Sequence, residues 1–456
     1  MKSVFRVSLS LAMVVMLSAV ETNGQQQAAR SFSLQDCIDY AMENNPNLKN
    51  ARAAITSSEA KVGEIIATGL PQINASADLG DNYVIPTSFL PARAFDPSAP
   101  EGQLIGVKFG TKYTGRASLN LEQMIFNGSY FVGLKASKTY TELSRKDLIS
   151  TETDVVGAIK KAYYSVLVSK ERAELVDKNY QRLDSLLKQT RAQYESGFAE
   201  KIDVNRVQVQ FNNILNARNN AAVGLEVSYN LLKFQMGLPV RESISLSDNL
   251  ESIKFQVLDE GFKNNFQYSN RIEYNILEIN HQLVELDIKN TRSQYLPSID
   301  LYGNYGSSYG TGSFDNLISF GANWRAFGTV GLRANMPIFD GLRKSKVVQQ
   351  KKAQLLQIEN SIELTKNQID LEQQQATLTF QSHVETLRTQ RENMELSKEV
   401  YDVTVIKYQQ GVGSNIEVID ADAAYKEAQT NYFAALYDTL IASVDLEKSY
   451  GKLLTK

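Results

Sequence analysis

The stretches YESGFAEKIDV at 194–204 and YQQGVGSNIEV at 408–418 share one motif, a Tyr-x-x-Gly turn followed by Ile, an acidic residue and Val, at an offset of 214. Two further pairs flank them in the same order: LPQI at 70–73 recurs as LPSI at 296–299, and IFNG at 125–128 recurs as IFDG at 338–341. Because the motifs keep their order and nearly their spacing, we infer that one unit of roughly two hundred residues has been duplicated.

Between these motifs the sequence predicts unusually long helices. From Gly128 to Gly197 there is no proline, and the apolar residues recur mostly at gaps of three, four or seven. The stretch from Gly341 to Gly411 behaves alike. A narrow apolar seam cannot be buried within a single helix, so two short helices are expected to stack end to end beside each long one. The shorter helices are predicted at 34–69, 202–236, 268–295 and 417–450.

Segments of alternating apolar and polar residues separate the helices and predict four strands of about ten residues. The outgoing strands begin at Ile73 and Ile299, after the two Leu-Pro motifs, and the returning strands cover 117–122 and 330–338. Loops rich in proline or glycine join each pair. Strands with one apolar and one polar face fit a transmembrane β-barrel, and they also fit a half-buried sheet of a soluble protein.

Two features favour the barrel. The first is a predicted signal peptide at the N-terminus, described below, which indicates export from the cytoplasm. The second is that aromatic residues gather near the strand ends, as they do at membrane interfaces. Unpaired strand edges are not tolerated in lipid and the smallest barrels have about eight strands, so several chains must share one barrel. Two chains or three satisfy this requirement. The aromatic residues are Tyr83, Tyr113, Phe126, Tyr305, Tyr309, Trp324, Phe327 and Phe339.

The N-terminus has the composition of a signal peptide at 1–24, with Lys2 and Arg6 before an apolar run. Beyond residue 24 no run of eighteen apolar residues occurs, so no membrane-spanning helix is expected. The formal charge of −3 comes from dispersed residues, which argues against nucleic acid as a partner.

The sequence shows no chemistry of an enzyme. Neither repeat contains a nucleophile motif, a metal cluster or a phosphate loop, so no cofactor is expected. The single cysteine, Cys37, is interpreted as a small apolar residue on a helix, and His281 and His383 each stand alone on helical stretches.

The ordered, duplicated motifs, together with NNPNL at 44–48, resemble the outer membrane efflux protein family of TolC-like channels from about Ser33 to Leu454. The resemblance implies a mainly helical fold with a membrane β-barrel. Long antiparallel α-helices of a homotrimer would form an α-barrel tunnel in the periplasm, and four strands per chain would contribute to a shared twelve-stranded β-barrel in the cell outer membrane.

Membership would also imply a function and partners. The chain would be the passive outer-membrane conduit of a tripartite efflux or type I secretion system. Its partners would be outer-membrane lipid, a periplasmic adaptor (membrane fusion) protein and an inner-membrane pump of the RND, ABC or MFS type. The alternative is a periplasmic coiled-coil structural or adaptor protein, although an adaptor would carry its helical hairpin only once. The transported substrate is not encoded in recognisable motifs.

The resemblance places a gate at the periplasmic tip, in the turns that contain Gly197, Gly411 and Gly413. Glu417 and Asp420 match the acidic pair that rings the constriction in this family. In a trimer their copies would form a cation-selective ring. The alternative is that both are solvated residues at a helix start, where the helix dipole favours acidic side chains.

Asp203 and Tyr408 match residues of the links that hold the tip closed. The chain departs from the family at Gly413, where the family has an arginine, and at Ile202, where it has a threonine. Either Lys201 or Arg206 is a candidate to replace the missing arginine.

Along the chain we expect a signal peptide at 1–24, a first structural repeat at 25–236, an equatorial connection at 237–267 and a second repeat at 268–456.

Overall fold

The computed structural model describes residues 30–250, 266–318 and 324–454. The predicted signal peptide lies outside these residues. The predicted connection at 237–267 is described only up to residue 250 and again from residue 266.

Each repeat is built around one helix that, at 1.5 Å per residue, is about 100 Å long. In the first repeat α2 and α4 both pack along α3, and in the second α5 and α8 both pack along α7. The predicted arrangement of two short helices beside one long helix is therefore confirmed. The helices are α1 (Leu34–Asn44), α2 (Pro46–Thr68), α3 (Gly128–Glu195), α4 (Lys201–Met236), α5 (Ile272–Ser293), α6 (Phe314–Ile318), α7 (Arg343–Gln409) and α8 (Asn415–Ser449).

The single helix expected at 34–69 is wrong, because the chain bends at Asn45. This residue has extended backbone angles (φ −62°, ψ 126°), and its side-chain oxygen accepts a hydrogen bond from Asn47 N at 2.8 Å. Pro46 follows at the start of α2. A proline disfavours helical geometry in the residue before it but fits the first position of a new helix, so α1 ends where α2 begins.

The four predicted strands form one antiparallel sheet in the order β2-β5-β7-β8. Consecutive strands pair over nearly their whole lengths, with a register shift between Met124 and Phe126. The last strand stops at Asn335, short of the predicted 338, because Pro337 cannot donate a ladder hydrogen bond. The strands are β1 (Arg30–Phe32), β2 (Gln72–Asp81), β3 (Thr87–Pro91), β4 (Leu104–Lys108), β5 (Tyr113–Phe126), β6 (Ile244–Leu246), β7 (Ser298–Thr311) and β8 (Arg325–Asn335).

Three elements were not predicted from the sequence. A second hairpin, β3–β4, lies in the proline-rich loop between β2 and β5, and the short α6 lies in the loop after β7. The third is a two-stranded parallel sheet in which β1 pairs with β6. It ties the start of the first repeat to the segment that follows α4.

The two repeats close their helical stacks in the same way. In the first, Asn45 Nδ2 donates to Gln235 O at the end of α4, at 2.7 Å. In the second, Arg271 Nη1 donates to Ser449 O at the end of α8, at 2.9 Å. Gln235 and Ser449 are 214 residues apart and Asn45 and Arg271 are 226 apart, the same offsets that separate the repeated motifs. Different side chains therefore satisfy the same helix-end carbonyl.

The largest apolar cluster lies where α1, α3 and α4 meet the parallel strand pair, and it includes Ile159, Tyr163, Leu232 and Met236. Cys37 is fully buried in this cluster, and burial raises the pKa of its thiol to about 12. Its interpretation as a small apolar residue is confirmed.

Candidate functional site: the sheet faces and the helical tip

The four-stranded sheet has one mainly apolar face and one mainly polar face. On the apolar face one row across the strands reads Ile73–Leu121–Gly303–Val330. These side chains are open to the surroundings in the single chain: Ile73 is 70% exposed and Val330 is 76% exposed. Such a surface would be unstable in water and suits lipid.

The adjacent row on the opposite face is entirely polar, and it reads Asn74–Asn120–Asn304–Thr329. The next polar row begins with Ser76 and Ser118, whose hydroxyl oxygens lie 3.0 Å apart. Because the register keeps all four strands in phase, the sheet can turn one face to lipid and the other to a water-filled lumen.

Aromatic rings mark both ends of the apolar face. At the end away from the long helices Tyr309 stacks with Trp324, with ring centroids 6.1 Å apart. At the helical end Phe126 contacts Phe131, and Phe339 is 79% exposed. A tilted eleven-residue strand spans about 25 Å between these ends, close to the apolar height of a membrane barrel.

Phe327 does not belong to this aromatic belt. The register places it on the polar face, in the row of Ser118 and Gly306. Its ring lies beneath the guanidinium of Arg116, 4.6 Å from the ring centroid. Sequence position alone put it near a strand end, whereas the alternation of faces decides its role.

The helical tip consists of two turns with the same backbone. Gly197 and Gly411 have φ values of +81° and +76°. After them Phe198 N donates to Gln193 O at 2.8 Å, and Val412 N donates to Lys407 O at 3.1 Å. Left-handed glycine with this backward hydrogen bond is a standard helix C-terminal motif, so the glycines are required by geometry.

Asp203 joins the two turns. Asn415 Nδ2 donates to Asp203 Oδ1 at 3.1 Å, and Arg206 lies 3.6 Å from the same carboxylate oxygen. Of the two candidate replacements for the missing arginine, Arg206 therefore contacts Asp203 within its own helix. Asn415 was missed from the sequence, and its place beside the capping Ser414 was the only available signal.

Tyr408 lies half-buried near the same turn, and its hydroxyl donates to Gln193 Oε1 at 3.5 Å. Burial and the charge of Asp203 raise the pKa of Tyr408, so the hydroxyl stays protonated and able to donate. Gly413 packs closely, because a Cβ there would lie 3.1 Å from Tyr408 N.

Glu417 and Asp420 lie in the first two turns of α8 with exposed side chains. The backbone N–H of Glu417 donates to the hydroxyl of Ser414, which caps the helix, at 3.3 Å. The exposure of the two carboxylates in the single chain is compatible with both interpretations. They could face a lumen in an oligomer, or they could be solvated acidic residues at a helix start.

A buried polar layer above the tip was not anticipated. Asn179 Nδ2 on α3 donates to Gln429 Oε1 on α8 at 2.8 Å, and both residues are nearly inaccessible. Arg182 donates to Asn179 and lies over the rings of Tyr401 and Tyr425, 4.8 and 5.6 Å from their centroids. This layer joins the two helical hairpins of the chain.

Within the described residues no helix is both long and apolar enough to span a membrane.

Metal ligands are not grouped in the part of the chain that the structure describes: no three His, Cys, Asp or Glu side chains are placed to hold an ion. His281 instead lies 3.6 Å from the carboxylate of Glu359.

Comparison with known proteins agrees with this architecture. TolC of Vibrio cholerae is 22% identical over 429 residues, which cover 92% of this chain and 91% of that protein. The efflux protein BepC of Brucella suis is 21% identical, covering 97% of this chain and 90% of its own. The crystal structure of the CmeC outer membrane channel of Campylobacter jejuni superposes with a TM-score of 0.71 at 17% identity, covering 99% of this chain and 94% of that one.

The sequence profile of one family, described as outer membrane efflux protein, matches residues 37–237 and 276–452, nearly the whole of both repeats. This match favours the channel over the adaptor alternative. The chain therefore belongs to the outer membrane efflux protein family, and its helices and four strands are one subunit's share of an outer-membrane efflux channel.

Proposed function

We propose that three copies of the chain form a passive conduit from the periplasm through the outer membrane, working with a periplasmic adaptor protein and an inner-membrane pump. The observation that carries the proposal is the sheet itself. Its edge strands, β2 and β8, have no partner in this sheet of the single chain, and its apolar face is open. Open edges are too costly in lipid, so the sheet must continue into other copies. Twelve strands enclose a lumen, whereas eight are filled by side chains.

The first test is the mass of the solubilised protein. Outer membranes are extracted in mild detergent and the protein is weighed by native mass spectrometry. We expect a species of three chains that persists on dilution. A stable monomer would contradict the shared barrel and the tunnel together.

We further propose that the tip is the gate. Asp203, Tyr408 and their partners Asn415 and Gln193 connect α3–α4 to α7–α8 and hold the closed position. Glu417 and Asp420, whose symmetry copies would approach one another on the threefold axis, would form the cation-selective ring. The role of the ring is purely electrostatic, and no catalytic residue is assigned.

The double substitution Glu417→Gln and Asp420→Asn is expected to lower cation selectivity in planar bilayers and to relieve block by divalent or trivalent cations. The physical reason is the loss of six carboxylates around a narrow opening. Assembly should be unchanged because both side chains are exposed. Unchanged selectivity and block would show that these residues are merely solvated acidic residues at a helix start.

Asp203→Asn serves as the matched comparison. It weakens the contact to Asn415 between the turns, so we expect it to change opening frequency more than selectivity.

We also propose that the chain divides into two structural repeats, at 25–236 and 268–456, joined by the connection at 237–267.

A further inference from the structure

The charged residues of the polar sheet face fall into two groups. Nearer the helices, Asp300 stands directly opposite Arg333 in the register, and Glu122 occupies the adjacent row. At the far end a single row reads Asp78–Arg116–Ser308–Arg325. The far row therefore holds two arginines and one carboxylate, whereas the near rows hold more acid than base.

The side chain of Arg116 extends across the sheet to the strand that carries Arg325. The guanidinium of Arg116 lies over the ring of Phe327, which is on β8, although Arg116 is on β5 and Asp78 is on β2. Gly306 makes this crossing possible because it lies between Ser118 and Phe327 and has no side chain of its own. A Cβ at Gly306 would lie 2.4 Å from Ala117 O, so this gap cannot be filled.

As a result the Arg116 guanidinium extends away from Asp78, on β2, and towards β8. Neither arginine forms an ion pair with a carboxylate of the described residues. Both are exposed, as is Ser308 between them, and together they border an open cavity of about 780 Å³. Asp78 lines the same cavity, so the cavity holds two guanidiniums, one hydroxyl and one carboxylate, and the two positive charges exceed the single negative charge.

We propose that Arg116, Ser308 and Arg325 form an anion-binding site in the far half of the barrel lumen, selective for groups such as phosphate. The inference rests on the proposed trimer, in which three such sites would place six guanidiniums around the lumen. Guanidinium pairs bind the oxygens of phosphate in bidentate geometry, which lysine cannot do. The lumen would then be acidic at the helical tip and basic near the exit.

The test uses the full-length trimer in detergent and inorganic tripolyphosphate as the probe, with binding followed by calorimetry at fixed salt. Arg116→Gln combined with Arg325→Gln is expected to weaken binding roughly tenfold or more, since charge-assisted hydrogen bonds are lost. Asp78→Asn should tighten binding because it removes the carboxylate of the row.

Arg333→Gln is the matched control, because Arg333 lies on the same strand and the same face but opposite Asp300. Its effect should stay within about twofold, because Arg333 does not line the cavity that Arg116, Ser308 and Arg325 border. Equal weakening by Arg333→Gln, or no binding by the unmodified trimer, would overturn the site. If the protein is trimeric and conducts ions but does not bind the probe, only this inference fails. If no trimer forms, the proposed function fails with it.

Discussion

Leu332→Arg is expected to reduce strongly the amount of assembled protein in the outer membrane. Leu332 is 70% exposed on the apolar sheet face, in the row of Leu301. An arginine near the middle of this face would cost about 2–4 kcal/mol per chain, because its charge is placed against lipid. In an oligomer each copy carries this cost, so we expect little folded oligomer. The measurement is the fraction of heat-modifiable oligomer on gels of purified outer membranes.

Two controls separate charge from position. Asn335→Arg and Thr329→Arg add the same side chain to the same strand, but both residues lie on the polar face. Their arginines would reach water in the lumen and should leave most of the oligomer intact. Equal losses in all three variants would show that the faces of the sheet are assigned wrongly.

Gly451→Ala is expected to lower strongly the melting temperature of the helical part of the protein. Gly451 has a φ of +69°, which costs an alanine about 1 kcal/mol. Its surroundings add a second cost, since a Cβ would lie 2.3 Å from Asn270 O, inside the contact where Arg271 binds the end of α8. Relieving the clash would separate α8 from the start of α5 and weaken that hydrogen bond.

Gly411→Ala isolates the backbone contribution. Gly411 has a similar φ of +76°, yet no atom lies within 4 Å of its Cβ position. Gly237→Ala should fall between the two, because its Cβ would lie 2.9 Å from Asn44 O. Circular dichroism melting of the detergent-solubilised protein would rank the three variants. The proposed packing of helix ends is contradicted if Gly411→Ala is as destabilising as Gly451→Ala.

Much of the secondary structure can be predicted from the spacing of apolar, proline and glycine residues along the chain. The two long helices follow from proline-free stretches with apolar residues at gaps of three and four, and the strands follow from alternation, because both periods are set by backbone geometry. The turns at Gly197 and Gly411 follow from the need for a residue with positive φ. The one misplaced helix, at 34–69, contained its own signal in Asn45-Pro46, which ends one helix and begins the next.

The sequence could also name candidate residues of the tip, because the family resemblance extends to Asp203, Tyr408, Glu417 and Asp420. It could not supply their partners. Asn415 binds Asp203 across 212 residues of chain, and Gln429 binds Asn179 across 250. Such pairs depend on how the two helical hairpins pack against each other. The spacing of apolar residues along a single helix carries no information about that packing.

The sequence by itself therefore determined the repeat, the two long helices and the alternating faces of the strands, all of which depend on neighbours along the chain. Only the tertiary structure decided which side chains meet. In the second repeat Arg271 donates a hydrogen bond to the end of α8, whereas in the first repeat Asn45 donates the equivalent bond to the end of α4. In the sheet, the side chain of Arg116 contacts Phe327 and forms no ion pair with Asp78. Those contacts depend on the strand register and on the space left by a glycine on the neighbouring strand, which are properties of the packed chain.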